Sequence, residues 1–169
     1  MSGRKTAFAP VVDAGTRILI LGSLPGELSL AACRYYANPR NRFWHLVGDV
    51  IDQPDLPELD YDARLTALLA AGIGLWDAAA SAERTGSLDS AIRHVQPAAL
   101  AELVQTLPLL QAIAFNGRTS AGIARPQLDD AGCSLIDLPS SSPAHAAMPY
   151  AQKLQAWLHL RQFLVASVP

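Results

Sequence analysis

The chain has 169 residues, half of them hydrophobic, and a formal net charge of −2; that length suits one domain with one sizeable core, and the charge excludes holding nucleic acid mainly by bulk positive charge. No apolar stretch approaches ~18 residues and no basic start leads into an apolar run, so neither a membrane-spanning helix nor a secretory signal is expected, and a cytoplasmic protein is the default expectation. Cys33 and Cys133 have neither CxxC spacing nor a nearby His partner, so no disulfide framework, zinc site or other metal is expected.

Residues 1–16 are polar, contain Gly and Pro, and lack periodicity. They read as an arm ahead of a single domain over residues 17–169. Ile18 to Leu21 is a short apolar run ended by Gly22, the pattern of a buried parallel strand. A long polar and aromatic loop follows, from Gly-Ser-Leu-Pro-Gly (22–26) to Tyr-Tyr-Ala-Asn-Pro-Arg-Asn-Arg (35–42). Loops of that length inside a compact domain are usually functional. Phe43, Trp44, Leu46, Val47, Val50 and Ile51 then recur at helical spacing. Asp60 is placed to cap a helix over 61–71, with Gly72 just past its end where a left-handed residue is favoured.

Ile73 to Trp76 predicts a second strand, closing on Asp77. From Ala78 to Gln96 the chain is more polar and predicts an irregular excursion with a short helix after Ser87. Pro97 suits the first turn of a helix running to about Thr106. A third strand, Ala112 to Phe115, ends at Asn116-Gly117, and a brief helix follows through Ile123. A fourth, Ser134 to Leu138, runs into Pro-Ser-Ser-Ser-Pro-Ala-His (139–145), and Pro149 opens a last amphipathic helix whose stripe reaches Leu164. Strands alternating with helices predict an α/β fold, a three-layer domain with a four-stranded parallel sheet and helices on both faces. Ser23, Asp77, Asn116 and Ser140 to Ser142 then lie just beyond strand carboxyl ends, where open α/β sheets bind ligands.

Several residue types there carry chemistry. The Gly22-Ser23-Leu24-Pro25-Gly26 turn lets backbone N–H groups approach a ligand closely. By itself it fits a phosphate grip, a catalytic turn or a tight βα connection, and it is neither a Walker A loop nor GxGxxG. Between Gly22 and His45 the charged residues are Glu27, Arg34, Arg40 and Arg42, whereas Asp49, Asp52, Asp55, Glu58, Asp60 and Asp62 crowd the next segment. Lys5 and Lys153 are the only lysines, so positive charge comes almost wholly from arginine, which suits bidentate phosphate contacts.

Gly-Ser-Leu-Pro-Gly (22–26), Tyr-Tyr-Ala-Asn-Pro-Arg-Asn-Arg-Phe-Trp (35–44), Gly-Leu-Trp-Asp (74–77), Arg-x-Gly-Ser-Leu-Asp (84–89), Phe-Asn-Gly (115–117) and Ser-Ser-Pro-Ala-His (141–145) occur in that order. Together they resemble the uracil-DNA glycosylase superfamily, most closely its hypoxanthine-DNA glycosylase branch, over residues 17–160. The resemblance implies an enzyme that extrudes a deaminated base, hypoxanthine first with uracil and xanthine behind it, and hydrolyses its N-glycosidic bond in base-excision repair, as a monomer acting on DNA without metal or cofactor.

It also implies residue roles. Tyr36 matches the aromatic that stacks on the base; the alternative for Tyr35 or Tyr36 is core packing. Asn41 takes over alignment of the hydrolytic water, because Leu24 stands where uracil-specific relatives carry Asn or Asp; its alternative is a turn cap after Pro39. Asp77 pairs with the ring N–H of the base or orients a backbone turn. Asn116 supplies an NH₂ to the base carbonyl or makes a turn. Ser140, Ser141, Ser142 and His145 belong to the loop that presses into the DNA, although Ser140 and Ala144 replace the His or Asn and the bulky wedge of strong uracil enzymes; His145 reaches a phosphate or fills the gap, or is an exposed loop residue. Arg40 and Arg42 contact phosphates or are solvated charges. Neither Lys5 nor Lys153 has an evident route to the crevice, so no Schiff-base lyase step is expected. Two rivals stand beside this reading: a serine hydrolase using Ser23 or Ser142 with His145 and Asp77 or Asp137, and a non-catalytic DNA-lesion binder.

Overall fold

The computed structural model describes residues 3–164. Residues 1, 2 and 165–169, at the outer edges of the expected arm and domain, lie outside the described residues. Four five-residue strands form the parallel sheet: β2 (Ile18–Gly22), β3 (Ile73–Asp77), β6 (Ala112–Asn116) and β7 (Ser134–Leu138), in the order β3-β2-β6-β7. β2 and β6 lie between neighbours and are buried throughout, which is why they read as unbroken apolar runs rather than alternating ones.

Side chains of successive strand residues point to opposite faces, and the sheet separates two cores. Ile18, Ile20, Ile73, Leu75 and Ala114 pack with Phe43, Trp44, Leu46 and Val47 of α2 (Phe43–Val50), Leu68 of α3 (Tyr61–Ala71) and Trp157 of α6 (Tyr150–Leu158). Leu19, Leu21, Ile113 and Phe115 pack on the other face with Leu100 of α4 (Leu100–Gln105) and Ala121, Ala124 and Leu128 of α5 (Arg118–Leu128). This is the expected α/β arrangement with helices on both faces. Gly72 ends α3 at φ +92°, the left-handed cap that glycine adopts without a Cβ penalty. Asp60 sits at the N-cap but its side chain makes no capping bond.

A second sheet was not expected. Strands β1 (Arg4–Thr6), β4 (Ala79–Glu83) and β5 (Arg93–Pro97) pair antiparallel in the order β1-β4-β5. The excursion after Asp77 is therefore two paired strands rather than an irregular stretch, and the short helix expected after Ser87 is the 3₁₀ helix Asp89–Ala91 that joins them. Ala-Ala-Ser-Ala-Glu has weak strand propensity, and burial of Ala79 and Ala82 against Leu24 overrides it. Pro97 ends β5 instead of opening a helix, tolerated there because β5 is an edge strand; α4 begins at Leu100.

Three further expectations are revised. The long first loop contains α1 (Glu27–Ala32), stopped by Cys33 in the left-handed conformation. α5 continues past Ile123 to Leu128, carrying Pro126, because Ala124 and Leu128 are buried in the second core. α6 ends at Leu158 and passes into a 3₁₀ turn over His159–Phe163. Among the described residues no helix is long and apolar enough to cross a membrane.

Candidate functional site

The site forms where the four parallel strands end. Asp77 is the register partner of Gly22, so the last residue of β3 projects its carboxyl beside the turn that leaves β2. A Cβ at position 22 would lie 2.5 Å from Asp77 Oδ1 and 3.1 Å from the Tyr36 hydroxyl. Only glycine admits that convergence. Tyr36 itself holds φ at +53°, a left-handed conformation costing a non-glycine residue of order 1–3 kcal/mol and concentrated at functional sites. Its ring stacks on Phe43 at 3.7 Å between centroids and 13° between planes, so Phe43 covers one of its two faces. Tyr35 belongs to the core: it is buried, and its hydroxyl donates to the Ala9 carbonyl at 2.9 Å.

The loop is clasped from outside by the β4–β5 excursion. Ser23 Oγ donates to Asp89 Oδ1 at 2.6 Å, and the Glu27 N–H donates to Ser87 Oγ at 2.9 Å. Arg84, fully buried, donates to the carbonyls of Gly86, Leu24 and Pro25. Lys5 of β1 pairs with Glu27 and donates to the Gly86 carbonyl at 2.8 Å. Leu24 and Pro25 are buried, and the Leu24 side chain enters the cluster with Ala79 and Ala82, so what Gly22 to Gly26 offer a ligand is chiefly backbone.

Asn41 is half-buried, and its Oδ1 accepts the N–H of Phe43 at 2.9 Å at the start of α2. An amide oxygen has two lone pairs; that turn bond takes one, so capping and a second polar contact are compatible. The expected NH₂ of Asn116 is differently engaged. Buried at the end of β6, it donates to Ser141 Oγ at 2.9 Å and to the Tyr36 hydroxyl at 3.4 Å, while Asn116 Oδ1 accepts the Ser141 N–H at 2.9 Å. Asn116 therefore ties the Ser140–Ser142 segment to Tyr36. A second tie comes from Arg42, whose N–H donates to the Ser141 carbonyl at 3.0 Å.

The remaining candidates line the rim. Ser140 Oγ and Ser142 Oγ accept the N–H groups of Ser142 and Ala144, and the exposed His145 donates its N–H to the Ser142 carbonyl. Arg40 and Arg42 are on the surface, the latter with its guanidinium 5.6 Å from the Tyr150 ring centre. Lys153 is buried on α6, where burial and then the Arg42 charge hold its ammonium below the usual lysine range. A serine-hydrolase constellation does not assemble among the described residues: Ser23 donates to a carboxylate rather than a histidine, and Asp137 is exposed and paired with Arg125 at 2.6 Å.

Asp77 is only 4 % exposed, and its Oδ2 is the one buried side-chain nitrogen or oxygen among the described residues without a hydrogen-bond partner. Burial first, then the charge of Asp89, push its carboxyl up to about 7 against the opposing pull of Arg84. Burial and then the Asp77 charge likewise raise the Tyr36 hydroxyl above its ordinary range. Arg84 and Asp89 were not among the expected site residues; the only signal was their place in the Arg-x-Gly-Ser-Leu-Asp segment. A cleft of about 760 Å³ lies between residues 32–37 and 58–64 and is lined in part by Tyr35 and Tyr36. Among the described residues no group of three or more His, Cys, Asp or Glu side chains could hold a metal.

Comparison with known proteins bears on this arrangement. The family profile described as Uracil DNA glycosylase superfamily matches residues 9–161. A hypoxanthine DNA glycosylase of Methanosarcina barkeri is 40% identical over 142 residues, 84% of this chain and 89% of the relative. One of Methanosarcina acetivorans is 42% identical over 141 residues, 83% of this chain and 88% of the relative. The solution NMR structure of a candidate uracil DNA glycosylase from Methanosarcina acetivorans superposes with a TM-score of 0.86 at 36% identity, covering 96% of this chain and 99% of that one.

Proposed function

The chain belongs to the uracil DNA glycosylase superfamily, and from that premise we propose that it releases deaminated bases from DNA, hypoxanthine first with uracil and xanthine behind it, at the start of base-excision repair. It is a DNA glycosylase, an enzyme that hydrolyses an N-glycosidic bond. The observation that carries the base-release reading is the convergence of Gly22, Tyr36, Asp77 and Asn116 at the strand ends, beside an Asn41 held at the head of α2.

An extruded base stacks on the face of Tyr36 that Phe43 leaves open, and Asp77 meets its edge. Asn41 aligns the attacking water through the lone pair and NH₂ that its turn bond does not use. An amide is no general base at neutral pH, so its contribution is positioning, together with stabilisation of charge as the bond breaks. Arg40, Arg42, His145 and the Ser140–Ser142 segment hold the flanking backbone. The enzyme works as a cytoplasmic monomer, without metal or cofactor, and leaves an intact abasic site. Lys5 supports the last point, since it is committed to Glu27 and Gly86.

A panel of single-lesion oligonucleotides, single- and double-stranded, assayed for abasic sites tests the reading. The wild-type chain should release hypoxanthine fastest and nick no strand without alkali or heat. Asn41→Ala should lose about 100-fold or more in rate while keeping most of its DNA affinity. Unchanged release would remove Asn41 from the mechanism, and a spontaneous nick would make Lys153 the amine to examine.

A further inference from the structure

Hypoxanthine and uracil both present a ring N–H beside a carbonyl, so a pocket that reads this edge needs an acceptor and a donor side by side. The donor expected from Asn116 is spent on Ser141 and Tyr36. What stands free at the strand ends is the Asp77 carboxyl, with Oδ1 against Gly22 and a buried Oδ2 that has no partner among the described residues. Ionised, it can only accept; neutral, it both donates and accepts. Building on the glycosylase reading above, we propose that Asp77 binds the extruded base as a neutral carboxylic acid, donating to the base carbonyl and accepting from the adjacent ring N–H, and that Asp89 is the positioning residue that keeps it neutral.

The groups around Asp77 are arranged for this. The charges that act on it come from the excursion. Asp89 is fixed by Ser23 Oγ at 2.6 Å, and Arg84 aims its donors at the carbonyls of Gly86, Leu24 and Pro25. Among the described residues no ion pair joins Arg84 to either acid. The Tyr36 hydroxyl converges with Asp77 on Gly22, and burial first, then the Asp77 charge, hold the hydroxyls of Tyr36 and Tyr35 above the ordinary tyrosine range. Asn116 is uncharged and engaged by Ser141 and Tyr36, and Lys5 and Glu27 neutralise each other. Dehydration and a neighbouring negative charge both favour the protonated carboxyl, and together they bring it to about 7, where an ordinary Asp is ionised.

Two measurements on the full chain test this: kcat/KM for base release between pH 5.5 and 8.5, and titration of the Asp77 carboxyl carbon by NMR in DNA-free protein. With a midpoint near 7, kcat/KM should fall about tenfold from pH 6 to pH 8. Asp77→Asn, whose amide supplies a donor and an acceptor at every pH, should flatten that fall, whereas Asp77→Ala should lose release throughout. Asp89→Asn keeps an acceptor for Ser23 but removes the charge. It should lower the carbon titration midpoint by about one pH unit and widen the pH 6 to pH 8 ratio to roughly fifty. An Asp77 carboxyl titrating near 4, a midpoint unmoved in Asp89→Asn, or Asp77→Asn as inactive as Asp77→Ala would overturn the inference even if bases are still released. Absence of release from every lesion by the wild-type chain would instead overturn the glycosylase reading, and the base-binding role with it.

Discussion

The front of the Gly22–Trp44 segment and its rear are held by different forces. Gly22 to Glu27 is gripped by polar side chains from far along the chain: Arg84 on the Leu24 and Pro25 carbonyls, Asp89 on Ser23 and Ser87 on the Glu27 N–H. Tyr36 to Trp44 is held by its own aromatics, with Tyr36 stacked on Phe43, Phe43 edge-on to Trp44 and Trp157, and the Trp44 indole N–H donating to the Tyr36 carbonyl at 3.1 Å. Buried hydrogen bonds to charged groups fail severely when one partner is removed, whereas aromatic packing weakens by degrees, as ring area is uncovered. The front therefore should behave as one unit with the antiparallel sheet, and the rear as an extension of the main core.

The largest effect follows from the front. Arg84→Met would leave the Leu24 and Pro25 carbonyls without their donor and Asp77 and Asp89 without a nearby positive charge. Breaking a buried charged arrangement of this kind costs about 3–5 kcal/mol, to be read from the urea midpoint at constant m. A loss below about 1 kcal/mol, the size of one ordinary hydrogen bond, would break the contrast, since the front would then be held by packing too.

The rear predicts a smaller and more local effect. Tyr36→Ala should weaken binding to lesion-containing DNA by about 1–3 kcal/mol, the range for one stacked base, and leave affinity for undamaged duplex nearly as it was. Tyr36→Phe keeps the ring and should retain most of the stacking. Equal losses for lesion and undamaged DNA in Tyr36→Ala would mean that the residue shapes the loop and does not touch the base.

The same division explains what the sequence made legible. Ile18 to Leu21, the helix from Tyr61 capped by Gly72, and Ser134 to Leu138 are local patterns whose burial or capping chemistry is written in adjacent residues, and the structure places them as expected. The rear of the loop was readable for the same reason: Tyr36, Phe43 and Trp44 lie within nine positions of one another. β4 and β5 were not, because an alanine-rich strand and a proline-ended one exist only through pairing with each other and with β1. Arg84 and Asp89 were missed because their partners lie some 60 residues away in sequence. Asn116 was placed correctly at a strand end but given a free NH₂, since nothing nearby reveals that Ser141 would fold back onto it.

Arg42 offers the finest test of the rear, because its backbone and side chain do separate work. The N–H joins the loop to Ser141, whereas the guanidinium lies against Tyr150, in no ion pair among the described residues. Replacing the side chain by Ala keeps the N–H bond and its register. Removing one phosphate-binding cation should lower the slope of log affinity against log salt by about 0.9 and weaken binding to lesion and undamaged duplex alike, because phosphate contacts position a protein without reading sequence. Thermal stability should hardly move, an exposed cation over one ring being worth about 0.5–1 kcal/mol. An unchanged salt slope together with a marked fall in melting temperature would show that the guanidinium supports the loop from within the fold, and the phosphate contact would then fall to Arg40.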